Sequence, residues 1–322
     1  MIKALLIGCG NIGAGYDLDD ETRVWTHAKA YSMQKDLELF VYDEDRDQAA
    51  KVAAKYGAVQ LDEVNEGLLN NFNLLSITTP TTSHFYYLEL AIRTGVPVVI
   101  CEKPVVGDLN ELAQMEQLYS SGSTKVLVNY MRRFQPAYET AKRKLQELRE
   151  EQSLQAVIIK YKRGFLNNAS HAIDLLEYFF EAPFLFDDFR YSVSNYDAFD
   201  YDPTITGSCR YLDAPVSFAG VSGASYGIFE IELFFNLSKI VICHSGNDIR
   251  YYYEQEGQLI ERTAERQTGI LDSYMLPVIS RALSILQNQK VQDNFINSLQ
   301  LNRQVLQIIT TLKINPNATI SH

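Results

Sequence analysis

Long apolar runs are missing from this 322-residue sequence. None approaches the roughly 18 residues that a membrane-spanning helix needs. An excess of positive charge is missing too, with 29 Lys and Arg against 40 Asp and Glu, for a formal net charge of −11. That balance argues against nucleic acid as a main partner, because phosphate binding draws on clustered Lys and Arg. It argues equally against an anionic membrane surface. Cysteine is scarce: Cys9, Cys101, Cys209 and Cys243 stand far apart, with no metal-ligand spacing. No metal is expected, and a reduced cytoplasm fits the scattered thiols. Repeats and low-complexity segments are also lacking, which sets aside solenoids and disordered tails. What remains is 46% apolar and 21% charged residues, an ordinary globular composition. The length admits two domains. The first residues read as a core strand rather than a cleaved leader.

The chain is organised around its opening. The apolar run Ile2 to Ile7 leads directly into Gly8-Cys9-Gly10-Asn11-Ile12-Gly13. A buried strand entering G-x-G-x-x-G is the fingerprint of a dinucleotide site. Gly8 allows the tight turn, Gly10 lets the backbone approach a pyrophosphate, and Gly13 lets the next helix pack close. That helix then presents its free N–H groups to the phosphates. A second strand, Leu37 to Tyr42, ends at Asp43, whose carboxylate suits the ribose hydroxyls of NAD and repels a 2′-phosphate. Arg46 nearby leaves NADP open. Asp43 lies 30 residues beyond Gly13, where about 20 is usual. The surplus falls in the polar, acidic stretch 15–25, read as an insertion, with the helix resuming after Thr26 as N-cap. The insertion either lines the substrate side or is a solvated acidic loop.

Strands and helices then alternate up to about residue 125, with strands apolar on both faces. This predicts a parallel sheet covered by helices. Beyond it the pattern changes. Helices are expected at 136–150 and 170–180, a series of strands from 155 to 254, and two closing helices at 272–287 and 294–313. The fold class is therefore α/β: an N-terminal Rossmann domain, 1–124, followed by an α+β domain, 125–322, with a large, mostly antiparallel open sheet. One face is expected to be buried on helices, and Tyr191, Tyr211, Phe218, Phe229, Tyr251 and Tyr253 are expected on the other, uncovered face; if nothing within the chain covers that face, it is a homo-oligomer interface, dimer or tetramer.

Two side chains stand out chemically. Lys103 follows a buried strand and precedes Pro104, so its backbone is held extended at the sheet's carboxyl end. There it can exchange a proton with a substrate hydroxyl, with Glu102 beside it. His171 opens an apolar helix with Asp174 three residues on, on the same face. Its imidazole can take a hydroxyl proton while Asp174 orients it.

Together, Gly8-x-Gly10-x-x-Gly13, Thr79-Pro80, Glu102-Lys103-Pro104, the run Met131 to Pro136 and the helix opening at His171 with Asp174 resemble the glucose–fructose oxidoreductase and myo-inositol dehydrogenase (Gfo/Idh/MocA) family. The resemblance covers residues 1 to about 180. It implies NAD(P)-linked redox of a hydroxyl on a sugar, cyclitol or nucleotide sugar. It implies Lys103 and His171 as the catalytic pair, with Asn167 and Asp174 beside them, and a cis bond before Pro104. It also implies cofactor contacts from Gly8, Gly10, Asn11, Ile12, Gly13, Asp43, Thr79, Pro80, His84, Glu102 and Lys103. Arg132, Arg133 or Tyr130 is expected to contact substrate or cofactor, and Asn168 the substrate. One departure stands out: relatives carry an aspartate four residues before the histidine, and here that residue is Asn167, which hydrogen-bonds but cannot accept a proton. Sugar-modifying relatives of polysaccharide pathways are similar in this region. Two other readings stay open: a sensor that binds NAD without turnover, and a redox-neutral lyase, epimerase or glycosidase with tightly held NAD.

Overall fold

The computed structural model describes residues 1–120, 122–186, 188–288, 290–314 and 319–320. By internal contacts the chain divides into two units: Met1–Phe134 with Asp272–Leu299, and Gln135–Leu271 with Gln300–His322.

The first unit is a six-stranded parallel sheet. In chain order its elements are β1 (Ile2–Ile7), α1 (His27–Ser32), β2 (Leu37–Tyr42), α2 (Arg46–Tyr56), β3 (Val59–Gln60), α3 (Glu66–Leu69), β4 (Leu74–Ile77), α4 (His84–Thr94), β5 (Val98–Cys101), α5 (Leu109–Tyr119) and β6 (Lys125–Val128). The strand order is 3-2-1-4-5-6, a doubly wound sheet whose direction of winding reverses between β1 and β4. The buried β4 and β5 carry apolar side chains on both faces, as a sheet with helices on both sides requires. Local signals set the helix limits. Thr26 caps α1, its side chain accepting from Lys29 N–H. Asp45 caps α2, which ends at Gly57 with φ +65°, a conformation glycine adopts without penalty.

One covering element comes from far along the chain. Met275, Val278, Ile279, Ala282 and Ile285 of a late helix, described below, share a core with Ala4, Leu6, Val98, Ile100 and Leu127. A single cut near residue 124 does not describe this return, which has no local sequence signal.

The second unit is built on a ten-stranded sheet. Its elements begin with α6 (Pro136–Glu151), β7 (Leu154–Tyr161), α7 (Ser170–Phe180), β8 (Phe189–Phe199), β9 (Asp202–Tyr211) and β10 (Ala214–Gly220). They continue with β11 (Phe229–Phe235), β12 (Ser238–Cys243), β13 (Asp248–Gln255), β14 (Gln258–Glu261) and the short β15 (Gln267–Thr268). The helix that returns to the first unit is α8 (Met275–Gln287), and α9 (Phe295–Ile314) and β16 (Thr319–Ile320) end the chain. Pairing is antiparallel except between β7 and β10. Strands β7, β11 and β12 alternate buried with half-exposed residues, the pattern of a sheet covered on one face.

Five of the six aromatics expected on the uncovered face are elsewhere, and the sixth, Tyr253, is half-exposed. Tyr191, Tyr211, Phe218, Phe229 and Tyr251 are at most 9% exposed. Phe218 lies two residues from the buried Val216 on one strand, so both point to the covered side. There Phe184 stacks on Tyr211 at 4.8 Å, and Phe165 meets Phe218 edge-on at 5.6 Å. Charge takes their place on the half-exposed positions. Lys160 bonds Glu232 at 2.6 Å and lies 3.5 Å from Glu230, and Lys239 pairs with Glu232. The apolar argument for an oligomer through this sheet therefore falls.

Candidate functional site

In the first unit, the carboxyl ends of β1, β2, β4 and β5 bring together most of the expected cofactor residues. Gly8 has φ +96°, and a Cβ there would lie 2.8 Å from the Thr78 and Thr79 backbone. At Gly13 a Cβ would meet Gly8 O at 2.2 Å. Both glycines are required by close approach of main chain. Gly10 differs, since a Cβ there would touch nothing within 4 Å. The space before Gly10 is what an approaching pyrophosphate needs. The turn continues into one turn of π-helix, Asn11–Gly15, which contains Ile12.

Asp43 closes the turn from the side. Its carboxylate accepts from Cys9 N–H at 2.6 Å and from Asp45 N–H at 2.8 Å. Gln48, which no sequence motif marked, donates to Cys9 O at 2.9 Å. Arg46 lies 3.5 Å from Asp62 at an exposed position. At the end of β4, next to Pro80, Thr79 Oγ1 is shielded from solvent and finds no partner among the described residues. An open glycine, a shielded unpartnered hydroxyl and a carboxylate at the end of β2 fit a dinucleotide at this edge.

The insertion is largely solvent-exposed but is pinned at Asp17. Asp17 is 1% exposed. Its carboxylate accepts from the backbone of Trp25 at 2.5 Å and Thr26 at 2.9 Å, and from the Thr26 hydroxyl at 2.6 Å. One buried acid therefore folds the loop back onto the start of α1. Arg23 lies over the Trp25 ring at 4.5 Å.

The Lys103–Pro104 bond is cis, as the resemblance implies. Lys103 is half-buried and Glu102 buried. The Glu102 carboxylate is engaged by His27 Nε2 at 3.1 Å and by Asn129 Nδ2, donating at 2.6 Å. Burial alone would raise its pKa, but the His27 and Asn129 bonds and the charges of His27 and Lys103 outweigh burial and lower it. His84 is placed as a clamp, with Nδ1 2.9 Å from Pro104 O and Nε2 2.9 Å from Thr79 O. Burial lowers its pKa despite those carbonyls. Tyr130, Arg132 and Arg133 are buried.

In the second unit, His171 sits at the start of α7 and is 8% exposed. Its ring meets Phe229 edge-on at 6.4 Å. Asp174 is 2% exposed. Asn167 and Asn168 lie on the π-helical turn Phe165–Ala169 that feeds α7. Asp202, fully buried, accepts from Leu166 N–H at 2.8 Å and Asn167 N–H at 2.7 Å. Gly164 has φ +88°, and a Cβ there would overlap the Asp202 carboxylate. Thr204 Oγ1 accepts from Gly164 N–H at 3.0 Å. The Asn167 amide donates to Arg163 O at 3.2 Å, and the Asn168 amide to Lys162 O at 2.8 Å and Ile228 O at 3.3 Å. Asp202 escaped the sequence reading because its partner lies 35 residues away.

Cys243, His244 and Asp248 bring a thiol, an imidazole and a carboxylate within 4.8 Å of one another. Arg250 and Arg266 both bond Asp248, at 2.8 and 2.5 Å. Two guanidinium groups there oppose a cation.

Among the described residues no helix is long and apolar enough to cross a membrane. Inositol 2-dehydrogenase 4 of Saccharopolyspora erythraea is 31% identical over 147 residues, 45% of this chain and 40% of that one. UDP-N-acetylglucosamine 3-dehydrogenase of Acidithiobacillus ferrooxidans is 31% identical over 113 residues, 35% of each chain. These matches thus span two fifths or less of the relatives' own length. A crystal structure of the latter enzyme superposes over 97% of both chains with TM-score 0.72 at 18% identity. The super-repressor mutant of Gal80p from Saccharomyces cerevisiae covers 99% of this chain and 98% of its own, with TM-score 0.77 at 12% identity. At such identities the likeness is one of fold. Residues 2–130 match the family described as "Oxidoreductase family, NAD-binding Rossmann fold". Over these residues, two fifths of the chain, it is similar to the Gfo/Idh/MocA oxidoreductases, an NAD-binding family.

Proposed function

We propose that the protein is an NAD-dependent oxidoreductase that interconverts a secondary alcohol and a ketone on a sugar, cyclitol or nucleotide sugar. The unit Met1–Phe134 with Asp272–Leu299 holds the cofactor, and the unit Gln135–Leu271 with Gln300–His322 the substrate. The observation that carries the reading is the glycine turn, open at Gly10, on the same sheet edge as Asp43 and the Glu102-Lys103-Pro104 element. Both named dehydrogenase relatives act on ring hydroxyls of the proposed classes. Asp43 favours NAD: it is anchored to the glycine turn, where a 2′-phosphate would meet its charge.

When bound, the nicotinamide accepts or returns the hydride. Lys103 hydrogen-bonds the reacting oxygen and stabilises negative charge as it develops there. His171 takes the hydroxyl proton, and Asp174 orients the imidazole. Asn167 and Asn168 position the sugar hydroxyls. An amide at 167 donates and accepts hydrogen bonds but carries no proton away, so the proton rests with His171.

Thermal unfolding in the presence of NADH, NAD, NADPH and NADP tests the cofactor reading. Ligand at 100 times Kd adds about 2.7 kcal/mol of stability. We expect a clear rise with NADH and a smaller one with NADPH. Myo-inositol and UDP-N-acetylglucosamine are the first substrates to try, read as NADH formed. Stabilisation by none of the four nucleotides, in protein shown spectroscopically to hold none already, contradicts the proposal. Stabilisation with no turnover of any sugar favours the sensor reading, which the absent aspartate at 167 motivates.

A further inference from the structure

A line of buried polar side chains runs through the first unit to Glu102, the residue before Lys103. Tyr31 Oη lies 2.6 Å from Ser76 Oγ, and Ser76 Oγ lies 2.9 Å from His27 Nδ1. His27 Nε2 lies 3.1 Å from Glu102 Oε1, and Asn129 Nδ2 donates to the same oxygen at 2.6 Å. Tyr31, Ser76 and His27 are fully buried. Polar groups in an apolar core cost free energy unless each is satisfied. Apolar side chains would fill these positions more cheaply, so the arrangement calls for a role. Its polarity is readable. A carboxylate only accepts, so His27 Nε2 must carry hydrogen and donate. Ser76 and Tyr31 then orient the far side of the ring, and the line ends on Glu102.

We propose that His27 is a positioning residue: its Nε2–H fixes the Glu102 carboxylate as an anion beside Lys103, and that anion keeps the Lys103 side chain charged. The inference rests on the proposed role of Lys103 at the reacting oxygen. Glu102 and Lys103 are sequence neighbours and interact electrostatically. An anion held beside an ammonium favours the charged amine, which is the form that donates to a developing alkoxide. The other titratable groups that feel Glu102 are Cys101 below it, His84 on α4 and Tyr274 just before α8. Burial raises the Cys101 thiol and the Tyr274 phenol and lowers the His84 imidazole, each away from its charged form. Arg132 is the further charge, acting on Tyr274.

The test reads Lys103 directly. Reductive methylation of the full-length protein with isotope-labelled formaldehyde gives each lysine a carbon NMR signal and leaves its charge intact. The Lys103 signal is the one lost in Lys103→Met. Two variants separate the two sides of the ring. Glutamine at 27 places its amide nitrogen near Nε2 and still reaches Glu102. Asparagine reaches only as far as Nδ1. We expect Lys103 in His27→Gln to titrate with the wild type, and in His27→Asn to titrate about one pH unit lower. Equal midpoints in the two variants overturn the proposal. Glu102→Gln keeps the shape and removes the charge, so it must lower the midpoint too, and an unchanged midpoint also overturns the proposal. Near-ultraviolet circular dichroism establishes that each variant is folded. The readout needs no turnover. If Lys103→Met remains fully active, the catalytic reading falls while the titration still decides whether His27 acts through Glu102.

Discussion

The two segments assigned to proton handling are held in opposite ways. Glu102-Lys103-Pro104 rests on side chains, with His27 and Asn129 meeting one buried carboxylate. The turn that feeds His171 rests on backbone, where Asp202 accepts two main-chain N–H groups and Gly164 makes room for it. The first arrangement sets charge as well as position. The second sets position alone. A substitution under Lys103 should therefore show in a pH profile, and a substitution under His171 should show in stability.

The largest structural effect is expected at Asp202. Asp202→Ala leaves the buried Leu166 N–H and the half-buried Asn167 N–H unanswered, at about 1–3 kcal/mol for each buried group. Denaturant unfolding should show a loss of about 3 kcal/mol, with NADH stabilisation undiminished. A loss under 1 kcal/mol would mean that the turn holds itself, and the contrast between the segments would fail.

Acid sharpens the comparison from the other side. Asp248 on β13 has a pKa lowered to about 2: burial raises it, and the bonds and charges of Arg266 and Arg250 more than reverse that. A carboxyl with a depressed folded-state pKa contributes stability above its unfolded value and loses it as pH falls through the folded one. For Asp248 the window runs from about pH 4 down to about 2. Stability should fall across that range and fall less steeply in Asp248→Asn. The same slope in both proteins would remove Asp248 from the acid response.

The smallest effect concerns cofactor choice. Asp43→Asn removes the charge that opposes a 2′-phosphate. Preference for NADH over NADPH should narrow about tenfold, roughly 1.4 kcal/mol, as read from the two binding constants. An unchanged ratio would assign the preference elsewhere.

The first unit was more legible than the second because its signals are local. A strand entering Gly8-x-Gly10-x-x-Gly13, a carboxylate ending β2 and Thr26 as N-cap are short-range patterns, and each is found where expected. What escaped the sequence depends on distant partners. His27 gains meaning from Glu102, 75 residues on, and Asp17 from a loop that closes on itself. Helix α8 is amphipathic in any setting, and nothing in its own residues says that it returns to the first sheet. In the second unit alternation located the strands, but the choice of buried face went wrong. Aromatics at Phe218 and Tyr251 fit either side of a pleated strand until the helices that cover one side are placed.

Lys103→Met tests the central claim most directly. Methionine keeps the length of the side chain and removes its charge and its proton. Turnover with whichever sugar the NADH screen identifies should fall by about 10²–10³-fold, the usual cost of removing one donor to a developing charge, while NADH still raises the unfolding temperature as in the wild type. Wild-type turnover in Lys103→Met would contradict the account.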